Sequence, residues 1–182
     1  METTGTDWLR NDVISWSGIV TDKNLDIKDR LTVTCRPESI DNWSNQAQEV
    51  HGISYFEART FQDPRKSCID ILNFLKPFKH ENNIPMLFVD HSLFKFDLMF
   101  THGLFIKQNL QFSMYKVIQN LPSSYEGTIQ LGRKAGYKKN GLALWADRLD
   151  KKLDHHNSES DALMCLEVYR YLNNNEDKDK LI

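Results

Sequence analysis

Short apolar runs alternate along this chain with polar breaks marked by proline and glycine, and the lengths of the runs assign the elements. Residues Asp12–Val20 (DVISWSGIV) are rich in β-branched and aromatic side chains, and Leu31–Cys35 (LTVTC) alternates apolar with polar. With a turn at Thr21–Asn24 between them they predict an antiparallel hairpin or meander, its second strand ended by Pro37. Asn45–Val50 predicts a short helix stopped by Gly52. Asp63-Pro64 is a stronger start: Asp is a good N-cap and Pro fits the first helical position. Ile69, Leu72, Phe74 and Leu75 follow as an apolar face that stops before Pro77. After a polar loop at Lys79–Asn83, Pro85–Asp90 (PMLFVD) is a continuous apolar run closed by an acid, the pattern of a strand buried on both faces. A helix over about Asp97–Gln108 comes next. Gln111–Gln119 predicts a last strand, Tyr125–Ala135 a helix, and Leu142–Leu149 (LALWADRL) another. Ser160–Leu172 is the final helix, with Ala162, Leu163, Leu166, Val168, Tyr169 and Leu172 as its apolar positions. A hairpin followed by strand and helix predicts one α/β domain over residues 1–172, with 173–182 a polar tail.

Composition narrows the class without choosing a function. A chain of 182 residues can bury a full core, and 40% hydrophobic with 26% charged residues is ordinary for a globular protein. A net charge of -2 gives no global attraction to nucleic acid, so such binding needs a local patch or metal ions. Cys35, Cys68 and Cys165 are odd in number and widely spaced, which fits reduced thiols better than disulfides or a zinc site. No apolar run approaches membrane-spanning length and no signal pattern opens the chain, so a cytoplasmic, membrane-free protein is expected.

Three clusters of acids and histidines carry candidate chemistry: Glu2-Thr3-Thr4-Gly5, His91 through Asp97, and His156 through Asp161. The second lies at the end of the buried strand, where open α/β sheets place their sites. In the third, a His just before a helix and an Asp in its first turns can face one point from two directions. Several carboxylates converging there would repel one another unless hard divalent cations neutralise them. Each cluster also has a plain structural alternative: a solvated turn for residues 2–5, a helix cap for Asp97, and an exposed loop His with a dipole-favoured acid for His156 and Asp161.

The ordered set resembles the DEDDh, or DnaQ-like, 3′–5′ exonucleases, the group that includes the epsilon subunit of bacterial DNA polymerase III, ribonuclease T and oligoribonuclease. Met1–Gly5 (METTG) is similar to that family's D-x-E-T-T-G, His91 through Asp97 to its H-N-x-x-F-D segment, and His156–Ala162 to its H-x-x-x-x-D-A. Weaker echoes stand at Ala47–Ile53 (AQEVHGI), Gly127–Arg133 (GTIQLGR) and Gly141–Leu144. The resemblance implies a ribonuclease H-like mixed sheet, an antiparallel meander plus parallel strands, flanked by helices. It implies hydrolysis at DNA or RNA 3′ ends, single-stranded ones foremost. Glu2, Asp97 and Asp161 would bind two Mg²⁺ or Mn²⁺ ions and His156 would be the general base, with His155 a neighbour at a spacing one residue too long. Thr3, Thr4 and Gly5 would hold the terminal nucleotide, and His91 and Phe94 (or Phe96) would contact the substrate. A polymerase or a second copy of the chain is the implied protein partner.

One expected carboxylate is absent. The family's first motif places two acids at i and i+2 on one face of a strand, and here the first would fall before Met1, together with most of the central strand. Two strands would then lack their shared neighbour. The expectations are a truncated chain whose complete form is active, or an inactive exonuclease-like domain that binds nucleic-acid ends or a polymerase.

Overall fold

The nine-residue strand β2 (Val13–Thr21) is the element from which the others are hung. Its first four residues, Val13–Trp16, are buried, which is why so dense a run of β-branched and aromatic side chains sits here. The hairpin to β3 (Ile27–Thr34) turns at Asp22, whose carboxylate accepts from the Asn24 and Asp26 amides at 2.9 and 3.0 Å. β2 pairs antiparallel with β3 over its length, and on its other edge with β1 (Glu2–Thr3), where Glu2 faces Ser15 and Thr3 faces Val13. The computed structural model describes residues 1–78, 87–92, 95–110, 125–154 and 156–175.

Helix α1 (Asn45–His51) starts on the Ser44 side chain and ends at Gly52, whose φ of 73° is the left-handed stop expected of glycine. A single helical turn, α2 (Tyr55–Ala58), follows on a Ser54 cap. Helix α3 (Pro64–Leu75) begins as the sequence predicts, with the Asp63 carboxylate accepting from the Arg65 amide at 3.0 Å. It packs Cys68, Ile71 and Phe74 with Val13 and Trp16 of β2 and with Phe100 and Phe105 of helix α4 (Phe96–Lys107). Each large side chain so buried contributes about 1.5–3 kcal/mol. Strand β4 (Phe88–Asp90) is the described part of the predicted Pro85–Asp90 strand. The polar loop at 79–83, the predicted strand at 111–119 and Phe94 lie outside the described residues.

The stretch Tyr125–Ala135 is not one helix. Tyr125–Gly127 is strand β5, parallel to β4 with Phe88 opposite Tyr125 and Asp90 opposite Gly127, and helix α5 (Thr128–Lys134) begins only after it. Pairing to β4 outweighs the local helical pattern, and extended Gly127 (φ −101°, ψ 122°) is the hinge between the two. Helix α6 (Leu142–Leu149) forms where predicted. The final helix, α7 (Ser158–Asn175), starts two residues earlier and ends three later than its apolar pattern suggests. Trp145 of α6 and Met164, Val168 and Leu172 of α7 form a second core.

Beyond Ser15 the edge of β2 away from β3, and the edge of β4 away from β5, have no strand partner among the described residues. They flank a cleft of about 1730 Å³, with Trp16 and Val20 on one side, Val89 and Asp90 on the other, and Asp97 and Asp161 at its margin. All three cysteines are free and buried. Among the described residues no helix is long and apolar enough to cross a membrane.

Candidate active site

Glu2, Asp97 and Asp161 come from three elements, and β2 holds all three. Glu2 sits on β1 in register with Ser15. The Ser15 hydroxyl shares a 2.7 Å hydrogen bond with Ser158, which is also 2.7 Å from the Ser17 hydroxyl. That pins the first residue of α7, three positions before Asp161, to the strand that carries Glu2's partner. On the other side, Trp16 Nε1 donates to Thr101 Oγ1 at 3.0 Å, and Thr101 Oγ1 donates to the Asp97 carbonyl at 2.7 Å. The turn of α4 that bears Asp97 is thereby tied to the same strand.

The electrostatics report the convergence. Burial pushes the Glu2 carboxyl up to about 7. The N-terminal ammonium opposes that rise, and the negative charges of Asp161 and Asp97 add to it. The ammonium of Met1 stands 4.0 Å from Asp97 Oδ1. These are hard oxygen donors of the kind that suits a divalent cation. Among the described residues, however, no three His, Cys, Asp or Glu side chains stand arranged to hold one ion. The acids share a field without forming a closed ligand cage.

His156 is exposed in the turn before α7, with the left-handed backbone (φ 62°) that His tolerates better than most residues. Asn157 makes the turn firm: its Oδ1 accepts from the Glu159 and Ser160 amides at 3.1 and 3.2 Å and caps the helix. His155 lies outside the described residues. Across from this turn stands His51, the last residue of α1. Burial holds its imidazole below the usual range, and the charge of His156 lowers it further, against the Thr3 backbone, which raises it. His51 thus faces both the third cluster and the first, a role its place in Ala47–Ile53 does not announce.

The residues after Glu2 are occupied structurally. Thr3 Oγ1 donates to the Gly5 carbonyl at 2.6 Å, and the fully buried Thr4 hydroxyl accepts from the Asp12 amide at 2.8 Å. A Cβ on Gly5 would come within 2.6 Å of the Asn11 side chain and push it off its bonds to the Asp7 amide and the Asn42 carbonyl. His91 turns toward α5, its Nδ1 2.7 Å from Thr128 Oγ1, and burial lowers its imidazole to about 4.

A fourth acid, Asp90, lies beneath the second cluster, where sequence reasoning saw only the end of an apolar run. It is 4% exposed and accepts from Tyr125 Oη at 2.6 Å and from the Ser92 amide at 3.1 Å. Ser92 Oγ donates to Asp90 Oδ1 at 3.0 Å and accepts from the Phe96 amide at 3.0 Å. Burial raises the Asp90 carboxyl to about 6; the Tyr125 hydrogen bond opposes the rise and the Asp97 charge adds to it. The N-cap position of α4 is Lys95, which makes no side-chain cap bond; the first amide of the helix is instead taken by Ser92 Oγ, which Asp90 orients. Ser92→Ala should lower stability by about 1–2 kcal/mol, read as a drop of a few degrees in melting temperature. An unchanged melt would show that the Ser92 hydroxyl does not cap the helix.

The fold is that of the ribonuclease H-like α/β proteins, with Asp90, Asp97 and Asp161 lining the cleft. The chain belongs to the DnaQ-like (DEDDh) exonucleases: the model of the RNase T exonuclease family matches residues 1–169. Exonuclease I of E. coli, in its zinc-bound complex with single-stranded DNA, superposes with a TM-score of 0.77 at 14% identity, over 97% of this chain and 40% of that one. The exonuclease I of Methylocaldum szegediense gives 0.71 at 18% identity, over 97% and 40%. The nuclease domain of 3'hExo, a DEDDh family member bound to rAMP, gives 0.67 at 12% identity, over 92% and 83%. The chain thus spans about two fifths of the length of the exonuclease I structures. A sequence search of curated proteins finds no match. Exonucleases of this family generally use divalent metal ions.

Proposed function

We propose that this exonuclease domain removes nucleotides from the 3′ ends of single-stranded DNA or RNA, with Glu2, Asp97 and Asp161 holding two Mg²⁺ or Mn²⁺ ions and His156 as general base. The observation that carries the reading is the arrangement of three acids from three elements, all anchored to β2, with an exposed imidazole in the turn that leads to one of them. The similar structures bound to single-stranded DNA and to rAMP support a nucleic-acid substrate.

Bound cations would polarise the phosphodiester and offset the charge of the acids around it. The chain supplies the rest. Imidazole is the side chain suited to exchanging protons near neutral pH, so His156 can take the proton of an attacking water at a ring nitrogen. Asn157 and Ser158 hold the turn from which that ring reaches out. The Thr3 and Thr4 hydroxyls, the Thr4 amide and carbonyl and the Gly5 carbonyl are engaged inside the turn, so Thr3, Thr4 and Gly5 would shape the place of the terminal nucleotide and the neighbouring His51 would contact it.

The test is incubation of a 5′-labelled single strand with the protein and Mg²⁺ or Mn²⁺. A ladder shortened from the 3′ end is expected, with His156→Ala slower by about a hundredfold. Intact substrate with either cation would sink the catalytic reading. It would favour a domain that binds nucleic-acid ends without cutting them.

A further inference from the structure

The chain's charge is unevenly spread. Between Arg133 and Lys152 there are seven basic residues and two acidic ones, a local +5 in a chain whose net charge is -2. All seven are exposed, and Lys151 is the one among them that forms an ion pair within the described residues, with Glu167 at 3.0 Å.

This segment is built against the second acidic cluster. Thr128, at the head of α5, donates to the Asp90 carbonyl at 3.2 Å and bonds His91 Nδ1. The backbone of Asn140 also acts on the His91 imidazole. Asn140 itself is locked: its Nδ2 donates to the Tyr137 carbonyl at 2.5 Å, and a Cβ on Gly132 would come within 2.1 Å of its Oδ1. Lys138 and Lys139 therefore stand on a rigid turn directly before Asn140, whose backbone acts on His91. Arg148 extends the patch. Its guanidinium lies 5.0 Å from the Tyr137 ring centroid and 4.9 Å from that of Trp145, and Nη1 donates to the Lys139 carbonyl at 3.0 Å. A guanidinium held between two rings and a carbonyl in this way loses little freedom when its remaining N–H groups meet a phosphate.

We propose that the turn between α5 and α6, with Lys138, Lys139 and Arg148, binds the sugar-phosphate backbone of the strand on the 5′ side of the scissile bond. The proposal rests on the exonuclease reading of the adjacent site. Removal of a 3′ nucleotide leaves the whole remaining strand on the 5′ side, so a positive surface at the margin of the site meets upstream phosphates. Such contacts attract any sequence and weaken with salt.

The experiment uses the full chain with two substitution sets, Lys138→Ala with Lys139→Ala, and Arg148→Ala alone. Binding of a labelled oligothymidylate is followed by fluorescence anisotropy over a salt series, with chelator present to prevent turnover. Hydrolysis of the p-nitrophenyl ester of thymidine 5′-monophosphate, which has no upstream phosphate, is followed with Mg²⁺ or Mn²⁺. The double lysine variant should bind the strand about tenfold more weakly, with a log Kd against log salt slope shallower by about 1.4, from about 0.7 per phosphate contact. Its ester hydrolysis should match that of the unaltered chain. Arg148→Ala should weaken strand binding likewise, and unchanged ester hydrolysis in that variant shows that its fold is intact. Strand affinity and slope equal to those of the unaltered chain would overturn the assignment even if a 3′ ladder forms. Loss of affinity in the variants of a chain that cleaves neither substrate would support the surface and sink the exonuclease reading.

Discussion

Asp161→Ala should lower 3′-end hydrolysis by about 10³-fold and at the same time leave the protein as stable as before, or more so, at pH 7. The first effect follows from the proposed role: an acid that helps hold a cation contributes several kcal/mol of charge stabilisation, which its methyl replacement cannot supply. The second follows from the packing. The start of α7 is pinned through Ser158 and capped by Asn157, bonds that the substitution leaves in place. Alanine has the higher helix propensity, which offsets what an acid in the first turn of α7 gains from the helix dipole. Asp161 is also one of the charges that raise the Glu2 carboxyl, so removing it relieves repulsion in the folded state. Activity is read from a 3′ ladder and stability from a thermal melt of the same preparation. Activity within tenfold of the unaltered chain would take Asp161 out of the site. A clear fall in melting temperature would mark it as a structural acid. A residue whose loss removes function while relieving strain is what a functional site maintained at a cost in stability produces.

Sequence patterning served best where one local interaction decides the outcome. The Asp63 cap, the Pro64 start and the Gly52 stop each act within a few residues of themselves, and each appears where predicted. β2 was legible because a dense β-branched and aromatic run has few other uses. Tyr125–Gly127 was not. A three-residue strand has no period of its own, and its partner, β4, lies more than thirty residues away. That error also hid the Tyr125 hydroxyl, and with it the reason for a buried Asp90.

The site divides in the same way. The order of Glu2, Asp97, His156 and Asp161 could be read from motif spacing, because the motifs are local. The approach of the three acids depends on the Ser15–Ser158 and Trp16–Thr101 hydrogen bonds, which join residues 143 and 85 positions apart, and small polar side chains of this kind carry no periodic signal. His51 belongs with them: its helix was predicted, while its approach to Thr3 and His156 is a product of the fold.

Glu2 gives the second large effect, on stability and with a definite sign. Its carboxyl ionises near 4.5 in the unfolded chain and is raised to about 7 in the fold, chiefly by burial. Below about pH 4.5 both states hold the proton, and Glu2 adds no penalty. As the pH climbs from there to 7 the unfolded chain releases that proton while the folded one keeps it, so the unfolded state gains and stability falls. The loss is about 3 kcal/mol once the pH passes the folded value, since a tenfold change in an ionisation constant is worth about 1.4 kcal/mol. Asp90 acts in the same direction over a lower window, from 3.8 to about 6. Glu2→Gln has no proton to lose, and its side chain fits the same buried position on β1. Metal-free Glu2→Gln protein should therefore match the unaltered chain near pH 4.5 and melt about 5–10 °C higher near pH 8. Mg²⁺ or Mn²⁺ should recover much of that difference for the unaltered chain, because a cation favours the ionised carboxylate, and little for the variant. Thermal melts across this pH range, with and without the cation, decide it. Parallel pH profiles for the two proteins would mean that Glu2 carries no strained charge, and the electrostatic case for three converging acids would fall with it.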